Sequence, residues 1–200
     1  EKEGTSEFDF DAQYLQDPKN PEGLLYPVVN YFNHELPPGA DYSFTDVADT
    51  GDDYLCTWFV RLCEKGIYVY DCIYTKDGSK VTIPLLKQKM LLYKCVLNWI
   101  ESNNQGSVFV SQLSNYVPNI DGQFETSNKI NRLHAYSWLL SFIHFKETGT
   151  PEYLKAIKHF QKLKKVIPNG GKGMDIDSAD ALTAMMRYFY YNFQYMFIIQ

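Results

Sequence analysis

Two hundred residues allow one domain, or one domain with an appendage, and 45% hydrophobic with 16% aromatic residues excludes a disordered chain. A formal net charge of −5 weighs against nucleic-acid binding, which usually asks for a basic footprint, unless carboxylate-bound divalent ions reverse the local field. No apolar run reaches the roughly 18 residues of a membrane span and no charged-then-apolar leader is visible, so a soluble protein, or an excised part of one, is expected.

Residues 1–23 are polar, and "QDPKNPEG" supplies breakers that predict a tail or linker. "LLYPVVNYFNHELPPG" predicts a short irregular or helical segment ending at Pro37, Pro38 and Gly39. Three strands follow at 41–48, 54–63 and 66–75, the last two joined as a hairpin across "EKG". Their alternation predicts one well-covered face and one partly open face. From Ile83 the spacing turns helical, with Pro84 near the helix start. "CVLNWIE" predicts a buried strand ending at Glu101, "SNNQG" a loop, and "SVFVSQLSNYV" the opening of a helix. A second polar loop, "PNIDGQFETSN", leads into "KINRLHAYSWLLSFIHF", which is expected to be mostly helical. A further helix covers "PEYLKAIKHFQKLKKV", is broken by "PNGGKG", and precedes a last helix from near Ser178. Three adjacent strands continued by helix, strand and helix predict a mixed α/β sheet with helices on its faces.

Cys56, Cys63, Cys72 and Cys95 form no C-x-x-C pair, which predicts free thiols in a reducing cytoplasm rather than zinc or disulfides. His34, His134, His144 and His159 fall in different elements without ligand spacing, and no Ser/His/Asp arrangement is supported.

The carboxylates are more informative. Asp46 ends one predicted strand, Glu101 ends another, and Asp177 stands just before the last helix with Asp180 one turn along. Strand ends are where mixed α/β sheets tend to place their sites. Singly, each acid has an ordinary reading. Asp177 or Ser178 suits a helix N-cap, and Asp49 to Asp53 around Gly51 suit a β-turn. Together, on these elements, they predict an oxygen-ligand site for Mg²⁺ or Mn²⁺. Two such ions about 4 Å apart activate a water and stabilise the leaving oxygen in phosphodiester hydrolysis.

"DVADTGDDY", "IESNNQG" and "DIDSADALTAM", in this order and spacing, resemble motifs of the nuclease domain of the large terminase subunit of tailed bacteriophages. "NKINR" at 128–132 resembles a segment between the second and third motifs, and "AQYLQDPKNPE" the linker after the family's ATPase half. The resemblance implies an RNase H-like fold over 24–200, with 1–23 as the linker. It implies Asp46, Glu101 and Asp177 as catalytic acids, Asp180 as a further metal-supporting acid, and two Mg²⁺ or Mn²⁺ ions. Where the family places a His or acid before the third catalytic acid, this chain has Ile176 preceded by Asp175, which leaves Asp175, Asp177 and Asp180 as alternatives for that ligand.

The implied activity is metal-dependent endonucleolytic cutting of concatemeric double-stranded DNA during head packaging. The implied partners are duplex DNA, the terminase ATPase domain, the small terminase subunit and the portal protein, in the cytoplasm of a bacterial host. No G-x-x-x-x-G-K-[ST] phosphate loop occurs, so the ATP-driven motor is expected on another part of the protein. Lys129, Arg132 and Lys172 are the DNA-contact candidates. Lys155, Lys158, Lys162 and Lys165 recur at helical spacing, as either a phosphate-tracking stripe or a solvated face opposite Leu154, Ile157 and Phe160. The tyrosine-rich C-terminus reads as an aromatic helix face packed on the sheet, or as a docking surface. Two alternatives stay open: an RNase H-like resolvase or transposase-type nuclease, and a non-catalytic module docking the motor on the portal.

Overall fold

The computed structural model describes residues 23–48, 53–168 and 174–197; the expected linker therefore lies outside the described residues except for Gly23. Seven strands form one mixed sheet. They are β1 (Asn30–Phe32), β2 (Gly39–Asp46), β3 (Leu55–Cys63), β4 (Gly66–Thr75), β5 (Leu97–Glu101), β6 (Ile120–Gln123) and β7 (Ile143–Lys146). Their spatial order is β1-β7-β4-β3-β2-β5-β6. The central β4, β3 and β2 are antiparallel, as a meander of hairpin-linked strands must be, and every other pairing is parallel. The helices are α1 (Ser79–Tyr93), α2 (Gly106–Leu113), α3 (Lys129–Tyr136), α4 (Pro151–Gln161) and α5 (Asp177–Asn192). None is long and apolar enough to cross a membrane.

Helices on both faces explain why the first six residues of β3 have no exposed alternate position, with Leu55 through Val60 all buried and Thr57 the one polar side chain among them. On one face Trp58, Val60 and Phe44 pack with Tyr153 and Phe160 of α4 and with Leu182, Met185 and Phe189 of α5. On the other, Leu55, Phe59 and Ile73 meet Leu86 and Met90 of α1 and Phe109 and Leu113 of α2. The face expected to be partly open is thus covered. Each fully buried side chain of this size contributes about 1.5–3 kcal/mol relative to exposure. Trp58 also has a positioning role: its indole N–H donates to the Ser178 carbonyl at 2.9 Å and pins the first turn of α5 against β3.

Several expected boundaries change. α1 starts at Ser79, which places Pro84 inside the helix rather than at its start. The proline removes one backbone bond there, early enough in the helix for the later turns to hold. β6 lies within the expected polar loop, because "IDGQ" is a four-residue, partly exposed edge strand with no apolar alternation. β7 ends the stretch expected to be mostly helical, where "IHFK" is too short for periodicity to separate strand from helix. The four cysteines are buried free thiols, with Cys56 and Cys72 sulfurs 3.9 Å apart. Tyr188 and Phe189 of α5 pack on Phe44 of β2, as the aromatic-face reading expects, while Tyr191 and Tyr195 are exposed.

Candidate metal centre

β2 and β5 are parallel neighbours in the register Thr45 to Ile100, so Asp46 and Glu101 leave the sheet side by side at the same end. The Trp58 bond brings the start of α5 to that end, and Asp180 lies one turn in. The result is convergence: one carboxylate oxygen from each of Asp46, Glu101 and Asp180 lies within 4.8 Å of the others. They line a cleft of about 230 Å³ together with Asp53, Glu125 and Asp177. Asp177 borders the trio. It is the first residue of α5 rather than its cap, and it accepts the Tyr54 backbone N–H at 3.0 Å.

Two cations of α3 enter the cluster. The Lys129 ammonium lies 3.4 Å from Asp46, 3.3 Å from Asp177 and 3.2 Å from Asp180. Arg132, its side chain only 10% exposed, donates to both Asp180 oxygens at 2.8 and 2.9 Å and lies 3.9 Å from Glu101. It also donates to the Ser127 carbonyl at 2.9 Å and pairs with Glu125, which is held by Arg187 as well. Asn103 donates to Glu101 at 3.1 Å and exchanges two hydrogen bonds with the Glu125 backbone, tying the β5 end to the loop after β6.

Burial pushes the Asp46 carboxyl well above its ordinary range, and repulsion from Asp180, Glu101 and Asp177 adds to it, against the pull of Lys129. Glu101 and Asp177 are raised too, first by burial. Burial works against the charged forms of Lys129 and Arg132, but the surrounding carboxylates overcome it and raise both. Burial also opposes ionisation of Glu125, yet hydrogen bonds from Ser127 and the charges of Arg132 and Arg187 bring it down to about 2. In this connected network, among the described residues, the carboxylates of Asp46, Glu101, Glu125, Asp177 and Asp180 face the cations of Lys129, Arg132 and Arg187, which leaves negative charge in excess. Oxygen donors alone, raised carboxyl pKa values and uncompensated negative charge fit a hard divalent cation.

The glycine of "ESNNQG" has a steric reason. A methyl group on Gly106 would lie 1.8 Å from the Glu101 carbonyl oxygen, so the strand end and the start of α2 can meet only without a side chain. Gly106→Ala is expected to destabilise the domain by about 1–3 kcal/mol, read as a drop of several degrees in the thermal midpoint by circular dichroism. An unchanged midpoint would contradict this close approach.

Of the residues singled out from sequence, Asp46, Glu101 and Asp180 are brought together, with Asp177 at their edge. Asp175 instead turns to His159 at 3.4 Å, with its side chain half exposed. Lys129 and Arg132 face the carboxylates, and Lys172, Asp49 and Asp52 lie outside the described residues. Sequence reasoning missed Glu125, Asn103 and Arg187. Only Asn103 carried a signal, lying inside the quoted motif.

No protein-family model and no curated protein matches this chain by sequence. Solved structures do match by shape. The nuclease domain of the large terminase g2p of bacteriophage SPP1, solved with bound Mn, has a TM-score of 0.56 at 17% identity, over 74% of this chain and 86% of that one. The large terminase nuclease of thermophilic phage G20c has a TM-score of 0.59 at 12% identity, over 82% and 96%. The chain has the fold of the large terminase nuclease domains. This is the fold that the motif resemblance implies. The large terminase of another thermophilic bacteriophage, in complex with ATP-γ-S, is matched with a TM-score of 0.61 at 10% identity, and this chain spans only 45% of its length.

Proposed function

We propose that the chain is a metal-dependent endonuclease domain of a phage DNA-packaging terminase that cuts concatemeric double-stranded DNA. The observation that carries this reading is the convergence of Asp46, Glu101 and Asp180 at the end of adjacent strands, on a fold whose SPP1 representative was solved with Mn. Residues 24–200 are the nuclease domain in this reading, and 1–23 the linker from an ATPase domain. The small terminase subunit and the portal protein complete the machine in the bacterial host cytoplasm.

Asp46, Glu101 and Asp180 would hold the ions, with Asp177, oriented by the Tyr54 N–H, as the remaining ligand. Two bound Mg²⁺ or Mn²⁺ ions supply a nucleophilic water and charge stabilisation for the departing 3′ oxygen of the phosphodiester. Lys129 is 32% exposed at the mouth of the cleft and is the cation best placed to meet a substrate phosphate once ions neutralise its carboxylates. Arg132 acts as a positioning residue, aiming Asp180 and Glu101. Lys172 is retained as a DNA contact from the sequence reading alone.

The direct test is incubation of plasmid and linear duplex with the purified domain in Mn²⁺. Nicked and linear products that vanish on chelation are expected. Intact plasmid at every Mn²⁺ concentration would sink the nuclease reading, and selective cutting of branched DNA would move it to a resolvase.

A further inference from the structure

We infer that Tyr54 and Tyr74 are positioning residues for the metal centre. Their stacked rings hold the Tyr54 backbone N–H where it fixes one oxygen of Asp177 and turns the other toward the carboxylate cluster. This role rests on the metal-dependent nuclease reading above.

Strand register puts both rings on one face of the sheet. Cys56 of β3 pairs with Asp46 of β2 on one side and with Tyr74 of β4 on the other, so these side chains share the face of the metal centre. Tyr54, two residues before Cys56, falls one diagonal step from Tyr74, within reach of an aromatic side chain. The two rings stack with centroids 4.2 Å apart and planes at 12°. Tyr74 is buried, and its hydroxyl shares a 2.8 Å hydrogen bond with His159 Nδ1 of α4. The His159 ring stands edge-on to both tyrosines, 5.7 Å from Tyr54 and 5.4 Å from Tyr74. Lys155, one turn earlier on α4, donates to the Tyr54 hydroxyl at 2.6 Å. Tyr54 is thereby held both by β4 and by α4.

The clamp fixes a carboxylate torsion. The terminal torsion of an aspartate is broad and nearly two-fold, so burial alone does not choose which oxygen points where. Oδ2 of Asp177 accepts the Tyr54 N–H at 3.0 Å, which leaves Oδ1 facing the Lys129 ammonium at 3.3 Å. That ammonium also lies against Asp46 and Asp180, so Oδ1 is turned to the point where the carboxylates converge. The sheet register itself sets Asp46 beside Glu101, and Arg132 grips both oxygens of Asp180. Asp177 relies instead on a residue just outside the β3–β4 ladder, whose first pair is Leu55 with Thr75. The ring stack extends the order of the sheet to that residue.

The test is calorimetric titration of Mn²⁺ into the whole chain as wild type, Tyr54→Ala, Tyr54→Phe, Tyr74→Leu and Asp177→Ala, with plasmid cleavage measured in parallel. Tyr54→Ala and Tyr74→Leu are expected to bind Mn²⁺ about tenfold or more weakly, the usual scale for partners that orient a metal ligand. Tyr54→Phe keeps the ring and the N–H and is expected to retain the affinity. The decisive comparison is Tyr54→Ala in the Asp177→Ala background. No further loss is expected there, because the group that the clamp orients is gone. Tyr54 is only half-buried, so its variants decide the matter even if Tyr74→Leu does not fold. Wild-type affinity in Tyr54→Ala, or an equal further loss in the Asp177→Ala background, would overturn the clamp. So would a loss in Tyr54→Phe as large as in Tyr54→Ala, since the hydroxyl and not the stack would then act. Absence of Mn²⁺ binding in wild type would overturn the metal reading and the clamp together. Mn²⁺ binding without cleavage would overturn the nuclease reading alone, and the titrations would still decide the clamp.

Discussion

Asp46→Asn is expected to abolish Mn²⁺-dependent DNA cleavage while leaving the metal-free domain at least as stable as the wild type. The two halves have one cause. Asp46 is buried at the meeting point of Glu101, Asp177 and Asp180, and its carboxyl pKa is raised by that burial and that repulsion. A folded-state pKa raised above the unfolded value means that the native state binds the proton more tightly than the unfolded chain does. Stability is then greatest below the unfolded pKa and is lost as pH rises through the folded one. Above the unfolded pKa, ionising this carboxyl therefore works against the metal-free fold. Asparagine keeps the shape without the charge, and Lys129 retains Asp177 and Asp180 as partners. The thermal midpoint without metal should stay level or rise by a few degrees. The upward shift that Mn²⁺ produces in wild type should disappear, because a ligand that binds only the folded state stabilises it by an amount that vanishes with its affinity. Loss of several kcal/mol of transition-state stabilisation corresponds to about a thousandfold or more in rate. Thermal melts with and without Mn²⁺, beside plasmid cleavage, check all three. A variant that still melts higher in Mn²⁺ and still cuts would remove Asp46 from the site.

The central hairpins and the strand-end acids were legible because their signals are local. Runs rich in aromatic and β-branched residues between turn signals mark β2, β3 and β4, and an acid closing such a run marks Asp46 and Glu101. Spatial neighbourhood was legible only through the motif order, since nothing local says that β5 pairs with β2. The short strands β6 and β7 hid for opposite reasons, one polar at an edge and the other apolar inside a longer apolar stretch. In the site, "DIDSADALTAM" left three acids in competition. The turn of α5 and the Trp58 anchor separate them, with Asp180 facing Glu101, Asp177 at the rim and Asp175 against His159. Glu125 was invisible because its role depends on Arg132 and Arg187, which are 7 and 62 positions away in the chain and whose meeting is set by the packing of α3 on α5.

Arg132→Ala is expected to be the most destabilising single change in the centre, and for a reason opposite to that of Asp46→Asn. Asp46 carries charge that nothing fully compensates, whereas Arg132 is the compensation for its neighbours. Its guanidinium grips both oxygens of Asp180, reaches Glu101, pairs with Glu125 and caps the Ser127 carbonyl. Removing it leaves Asp180, 3% exposed, with Lys129 as the remaining cation within ion-pair distance among the described residues. Breaking a buried pair from one side costs about 3–5 kcal/mol, because the stranded charge keeps its desolvation penalty. For a domain of this size that is about 10 °C in the thermal midpoint. Arg132→Lys should recover only part of it, since one ammonium cannot reproduce the two-pronged bond to Asp180. Asp180→Asn in the Arg132→Ala background should restore stability, because the charge left stranded is then gone, and that non-additivity is the signature of a direct pair. A solvent-facing, DNA-contacting role for Arg132 predicts the reverse pattern: an unchanged midpoint with weakened duplex binding. Melting curves of the two single variants and the double, set beside their duplex affinities, separate an arginine that builds the site from one that touches the substrate.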